Sequence, residues 1–153
     1  MLLNRYLPRV EFNSYEDFKQ NFRINAPKDF NFGFDVVDAW AEAQPDKRAL
    51  VWCDDHGEEK TFTFSEISRL SNKAANFLKS LGIKKGSRVL LILRRRWEYW
   101  ICASALHKIG AIAIPATNQL VEHDFTYRFK AAQVKAIVCT ADGEVAAEAE
   151  KAA

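Results

Sequence analysis

The stretch that decides the fold reads Arg88-Val89-Leu90-Leu91-Ile92-Leu93-Arg94-Arg95-Arg96-Trp97-Glu98-Tyr99-Trp100, and it continues to Gly110-Ala111-Ile112-Ala113-Ile114-Pro115. Five unbroken apolar residues after Arg88 suit a strand covered on both faces, as in a parallel sheet. The charged and aromatic residues that follow have helical spacing as far as Lys108, so a helix is expected to begin at Arg95 or Arg96. Gly110 closes it, and residues 111–115 return as a second strand. Trp97, Trp100, Ile101, Ala105 and Ile109 make this helix a deeply packed one. Strand, helix and strand at this spacing form a βαβ unit.

The same rhythm extends in both directions. Upstream, Ser65 is placed to cap a helix whose Ile67, Leu70, Ala74, Phe77, Leu78 and Leu81 fall on one stripe, ended by Gly82. Downstream, a helix is expected near 122–132, a strand at 135–139, and a last helix from about Gly143 that is still running at Ala153. Before all of these, residues 49–53 and 60–64 flank the turn Asp54-Asp55-His56-Gly57 and predict a hairpin. Ser14 can cap a short helix through Phe22, and a second helix from Phe34 stops at Gln44, ahead of Pro45. The fold class is therefore α/β: a mostly parallel sheet flanked by helices, with a small β-hairpin. Residues 1–31 read as an N-terminal extension with a short helix, and 32–153 as one subdomain.

Bulk properties narrow the function. The chain has 153 residues, 48% hydrophobic and 27% charged, enough for one domain with a real core. A net charge of +2 gives no argument for nucleic acid or an anionic membrane. Apolar runs as short as 89–93 cannot span a bilayer. Residues 1–10 lack a signal-peptide pattern, and a cytoplasmic location is expected. Cys53, Cys102 and Cys139 are far apart and show no metal-like spacing, so each reads as a small buried apolar residue. Eleven Phe and 4 Trp suit either a large buried core or a face meant to be covered by further chain, and such a face left uncovered gives a route to self-association.

Signatures of chemistry are few. No GxxxxGK[ST] loop, GxGxxG turn, GxSxG elbow or HExxH helix occurs. His56 falls in a turn and His123 before a helix. His107 and Lys108 lie near a helix C-terminus, where they complement its dipole. Two candidate groups remain. Arg94, Arg95 and Arg96 follow a buried strand at the sheet edge where ligands of open α/β folds bind, and they read either as a phosphate site or as a solvated turn pairing with nearby acids. Thr117, Asn118 and Gln119 follow the next strand on the same edge, as groove lining or as turn formers.

Taken in order, several stretches resemble the amino-terminal region of adenylate-forming enzymes. They are Phe62-Thr63-Phe64-Ser65-Glu66-Ile67, Ala74-Ala75-Asn76-Phe77-Leu78, Leu81-Gly82-Ile83-Lys84-Lys85-Gly86-Ser87-Arg88-Val89, Leu106-His107-Lys108-Ile109-Gly110-Ala111 and Ile114-Pro115-Ala116-Thr117. Asn31-Phe32-Gly33-Phe34-Asp35-Val36-Val37-Asp38 and Arg96-Trp97-Glu98-Tyr99-Trp100 are similar to the medium-chain acyl-CoA synthetase branch. The resemblance covers the chain from about Tyr15 onward.

It implies an AMP-forming acid–thiol ligase of fatty-acid metabolism. Carboxylic acid and ATP with Mg²⁺ would give an acyl-adenylate and pyrophosphate, and coenzyme A would then displace AMP. The resemblance assigns no catalytic residue or metal ligand within this chain; those groups are expected downstream, on the remainder of the parent polypeptide. It puts the Thr117, Asn118 and Gln119 loop where relatives receive the coenzyme A nucleotide. Some relatives carry arginines after the strand equivalent to 136–139, where this chain reads Asp142-Gly143-Glu144-Val145-Ala146-Ala147. The alanine-rich end predicts that the chain was cut at Ala153, and the resemblance implies that it is inactive alone. Two other readings stand beside this one: a stand-alone anion- or coenzyme A-binding module, and an interaction domain.

Overall fold

The computed structural model describes residues 2–153. After a 3-10 turn at Leu2–Arg5 come α1 (Tyr15–Asn21), a π-helical run at Phe32–Asp38 leading into α2 (Ala39–Ala43), and the hairpin strands β1 (Arg48–Cys53) and β2 (Glu59–Thr63). The rest alternates: α3 (Phe64–Ser80), β3 (Arg88–Ile92), α4 (Glu98–Ile109), β4 (Ile112–Pro115), α5 (Glu122–Ala132), β5 (Ala136–Cys139) and α6 (Val145–Lys151). This is the expected α/β architecture. The hairpin is antiparallel with Val51 opposite Thr61, and the main sheet is parallel with strand order β4-β3-β5. Leu90 stands beside Ile114 on one side and Ile137 on the other. No helix among the described residues is long and apolar enough to cross a membrane.

β3 is central because it is apolar on both faces, and its two-residue period divides the core. Val89 and Leu91 join Leu78, Ala105 and Leu106 beneath α3 and α4. Leu90 and Ile92 join Leu120, Phe125, Val145 and Ala149 beneath α5 and α6. A third cluster of Val37, Ile67 and Ile101 attaches the hairpin and the π-helical run to the helices.

Several expectations are corrected. The cap of α3 is Thr63, not Ser65. Thr63 is extended, with its Oγ1 accepting from Glu66 N at 3.2 Å, while Glu66 Oε2 accepts from Thr63 N at 2.8 Å. This reciprocal box satisfies two N–H groups, whereas Ser65 already lies inside the helix. Thr63→Ala is expected to cost about 1 kcal/mol and Ser65→Ala less than about 0.5 kcal/mol in urea unfolding. A larger loss from Ser65→Ala than from Thr63→Ala would return the cap to Ser65.

On α3 the buried stripe is Ile67, Ser71, Ala75 and Leu78, so Phe77 stands well to one side and is exposed; Leu81, the residue that caps the helix end, is exposed as well. On α4, Ile101 and Ala105 are buried, but Trp100 is 55% exposed, and Trp97, which precedes the helix, is only half-buried. Helix α4 begins at Glu98, not at Arg95 or Arg96, because Arg94 takes a left-handed φ of 50° and Arg96 N closes a turn onto Leu93 O at 3.1 Å. The second helix opens at Phe32, where Asn31 Oδ1 accepts from Gly33 N at 2.9 Å. Gly33 is required there: a Cβ would meet Lys108 Cγ at 2.5 Å. Helix α6 starts at Val145, two residues beyond Gly143, whose φ of 83° lies outside helical geometry, and it ends at Lys151. Though rich in small residues, α6 buries Val145 and Ala149.

Candidate functional site

Three loops leave the carboxyl edge of the main sheet, one after each strand. The turn after β3 carries Arg94, Arg95 and Arg96, all exposed. The loop after β5 brings Asp142 to them: Arg94 Nη1 lies 3.6 Å from Asp142 Oδ2, and Arg96 Nη2 lies 3.3 Å from Asp142 Oδ1. The Thr140 hydroxyl beside it, then its own backbone N–H and the fields of Arg96 and Arg94, hold the Asp142 carboxyl below the usual range. Asp142 is thus an anion bridging two arginines. Gly143 permits this approach, since a Cβ there would sit 3.2 Å from Arg94 Nη2. Arg95 forms no ion pair among the described residues, and its carbonyl accepts from Trp52 Nε1 at 2.6 Å, fixing the hairpin to the turn.

The arginine turn is not the helix N-terminus expected from the sequence. Glu98 occupies the first turn of α4 and already supplies the negative charge that the helix dipole favours. A cleft of about 480 Å³ opens beside it, lined by Leu93, Arg96, Glu98, Cys102, Thr140 and Asp142. Glu98 Oε2 is buried in it without a hydrogen-bond partner among the described residues. Burial first, and the nearby Glu98 second, push the Cys102 thiol up, so it is a poor nucleophile. Cys139 is likewise raised by burial, while Cys53, expected inside, is exposed on the hairpin.

Thr117, Asn118 and Gln119 are exposed in the loop after β4, on the other side of β3 from Asp142. Ala116 N donates to Leu91 O at 3.0 Å and Gln119 N to Thr117 Oγ1 at 3.3 Å, which ties the loop to the central strand. The three loops share one edge, but no hydrogen bond or ion pair among the described residues joins Thr117, Asn118 or Gln119 to the arginines. Sequence reasoning did not single out Asp142, Thr140 or Glu98. The available signal was a carboxylate just past a strand that returns to the same edge. His56 N donates to Asp54 Oδ1 at 2.9 Å in its turn, and His123 Nε2 lies 3.4 Å from Asp124 Oδ1. Among the described residues no group of three His, Cys, Asp or Glu side chains could hold a metal ion.

Residues 37–153 match the family described as AMP-binding enzyme. The chain is 36% identical over 141 residues to acyl-coenzyme A synthetase ACSM3, mitochondrial, of Homo sapiens, covering 88% of this chain and 24% of that protein. It is 38% identical over 140 residues to human acyl-coenzyme A synthetase ACSM4, mitochondrial, covering 86% and 24%. The chain therefore spans about a quarter of the length of these relatives. Among solved structures, a Mycobacterium tuberculosis fatty acyl CoA synthetase aligns with a TM-score of 0.65 at 25% identity, over 72% of this chain and 21% of that one. A benzoate CoA ligase from Burkholderia xenovorans LB400 shares the fold with a TM-score of 0.67 at 21% identity, over 80% and 24%.

Proposed function

This chain belongs to the AMP-binding enzyme family, and from that premise we propose that it forms part of the N-terminal domain of an AMP-forming acyl-CoA synthetase. The reaction is the joining of a carboxylic acid to coenzyme A at the expense of ATP, with AMP and pyrophosphate released. One observation carries the reading: the family match spans residues 37–153, which takes in the arginine turn, the Thr117 loop and the Asp142 loop together, and the acyl-coenzyme A synthetases align at 36–38% identity over 86–88% of the chain.

Residues 32–153 are the family subdomain in this reading, and 1–31 an extension carrying α1. Thr117, Asn118 and Gln119 line one wall of a coenzyme A groove. Of the arginines, Arg95 is the one left to meet a phosphate, since Arg94 and Arg96 already face Asp142. No group of three His, Cys, Asp or Glu side chains that could hold a metal ion occurs among the described residues, and in this reading the Mg²⁺ ligand lies on the remainder of the parent polypeptide. Three free cysteines suit a reducing compartment. Both the cytoplasm expected from the sequence and the mitochondrion of the relatives' names meet that condition.

The test is a chimaera in which this chain replaces the matching segment of human ACSM3. It is expected to release pyrophosphate from ATP in the presence of butyrate or hexanoate, while the 153-residue chain alone releases none. A folded chimaera inactive with every medium-chain acid removes the ligase assignment. Release by the chain alone removes the placement of the reactive groups outside it.

A further inference from the structure

At the opposite end of β3 from the arginine turn, the cleft between α3, α4 and the π-helical run has a volume of about 750 Å³. That is within the range of small-molecule sites. Its lining includes Lys79 from the last turn of α3, Lys84 and Lys85 from the turn leading into β3, Asn72, Asn76 and Phe34. We propose that this cleft binds a small phosphate-bearing anion.

The charge balance is the first argument. No Asp or Glu lines the cleft, and none of Lys79, Lys84 and Lys85 takes part in an ion pair among the described residues. The chain has 20 acidic residues with which such charges could be matched. Three exposed ammonium groups around one concavity repel one another and focus a positive potential into it, and a multiply charged anion relieves both. Lysine binds phosphate as a mobile point charge, so a pre-aligned fork is not needed.

The floor of the cleft supplies the second. A fourth cation, Lys108, has a side chain only 3% exposed, and its Nζ donates to Asp38 Oδ1 at 2.6 Å and to Asn72 Oδ1 at 2.8 Å. Lys108 is thereby satisfied and structural. Its bond to Asn72 uses the amide oxygen, which leaves the Asn72 N–H groups without an acceptor among the described residues. Amide donors between ammonium groups are what phosphate oxygens require. Phe34, 51% exposed at the rim, offers a ring face to any organic part of the ligand.

Calorimetry of the whole chain with inorganic tripolyphosphate in about 50 mM salt tests the proposal. Saturable binding is expected, weakened at least about tenfold, or ~1.4 kcal/mol, by the Lys84→Ala/Lys85→Ala pair. Lys79→Ala, a helix-compatible change, gives a second and smaller loss should the pair fail to fold. Lys130→Ala, an exposed lysine on α5, leaves binding unchanged. Absent binding, binding indifferent to Lys79, Lys84 and Lys85, or equal binding of citrate or a polyglutamate peptide would each overturn the assignment.

Discussion

Phe125→Ala lowers stability by about 3–5 kcal/mol, the range for truncating a fully buried aromatic side chain. Phe125 is 0% exposed and is the largest of the fully buried side chains. It fills the space between Leu90 and Ile92 of β3, Leu120 and Val145, with the Phe129 ring 5.8 Å away. Small residues surround it on α6, and Ala149 cannot extend into the vacated volume. A domain of this size has about 5–15 kcal/mol in hand, so the change takes a large share of it. At about 2–4 °C per kcal/mol, the melting temperature falls by roughly 6–20 °C. Phe125→Leu, which keeps most of the volume, should lose much less. Hydrogen exchange should show α5, α6 and β5 loosening before α3 and α4, because the two faces of β3 have separate cores. A loss below about 1 kcal/mol would mean that this half of the core is not packed as described.

Lys108→Met lowers stability by about 2–4 kcal/mol through an electrostatic rather than a packing effect. The side chain of Lys108 is 3% exposed and that of Asp38 is 23% exposed, with 2.6 Å between their charged atoms. Removing one member of a fully buried pair costs about 3–5 kcal/mol because the other charge is left uncompensated; the partial exposure of Asp38 lowers that figure. Ser68 Oγ also donates to Asp38 Oδ1, at 2.7 Å, but a hydroxyl offers the carboxylate no counter-charge. Methionine keeps the bulk that packs against Gly33, so lost volume is not the cause. Asp38→Leu combined with Lys108→Met should recover most of the loss, since an apolar pair has no desolvated charge. Urea unfolding of both single variants and the double variant gives the coupling. A double variant as unstable as the sum of the singles would refute the buried-pair account.

Lys108 also shows where reading the sequence stops. Its place near a helix C-terminus is visible in the order of residues, and dipole complementarity is the natural inference. That Asp38, 70 positions earlier, lies against it depends on the π-helical run crossing α4. Asp142 is a similar case. It follows a predicted strand, but its contact with Arg96, 46 positions away, exists only because β5 pairs with β3 in parallel and in register. The cap at Thr63 was more nearly legible, since Glu66 three residues on completes a recognisable box. Ser65 competes with it because a cap is defined by backbone conformation, and Thr63 is the residue held extended at the end of β2.

Local sequence suffices for the alternation of strand and helix, the doubly apolar character of β3 and the glycines that end α3 and α4, because each depends on residues within a few positions of one another. It also carried the family resemblance, through ordered stretches along most of the chain. The strand order β4-β3-β5, the pairing of two arginines with Asp142, the burial of Lys108 and the gathering of Lys79, Lys84 and Lys85 around one cleft arise only in the folded chain. Each of these joins residues distant in sequence, and the free energy that brings them together comes from packing both faces of the central strand.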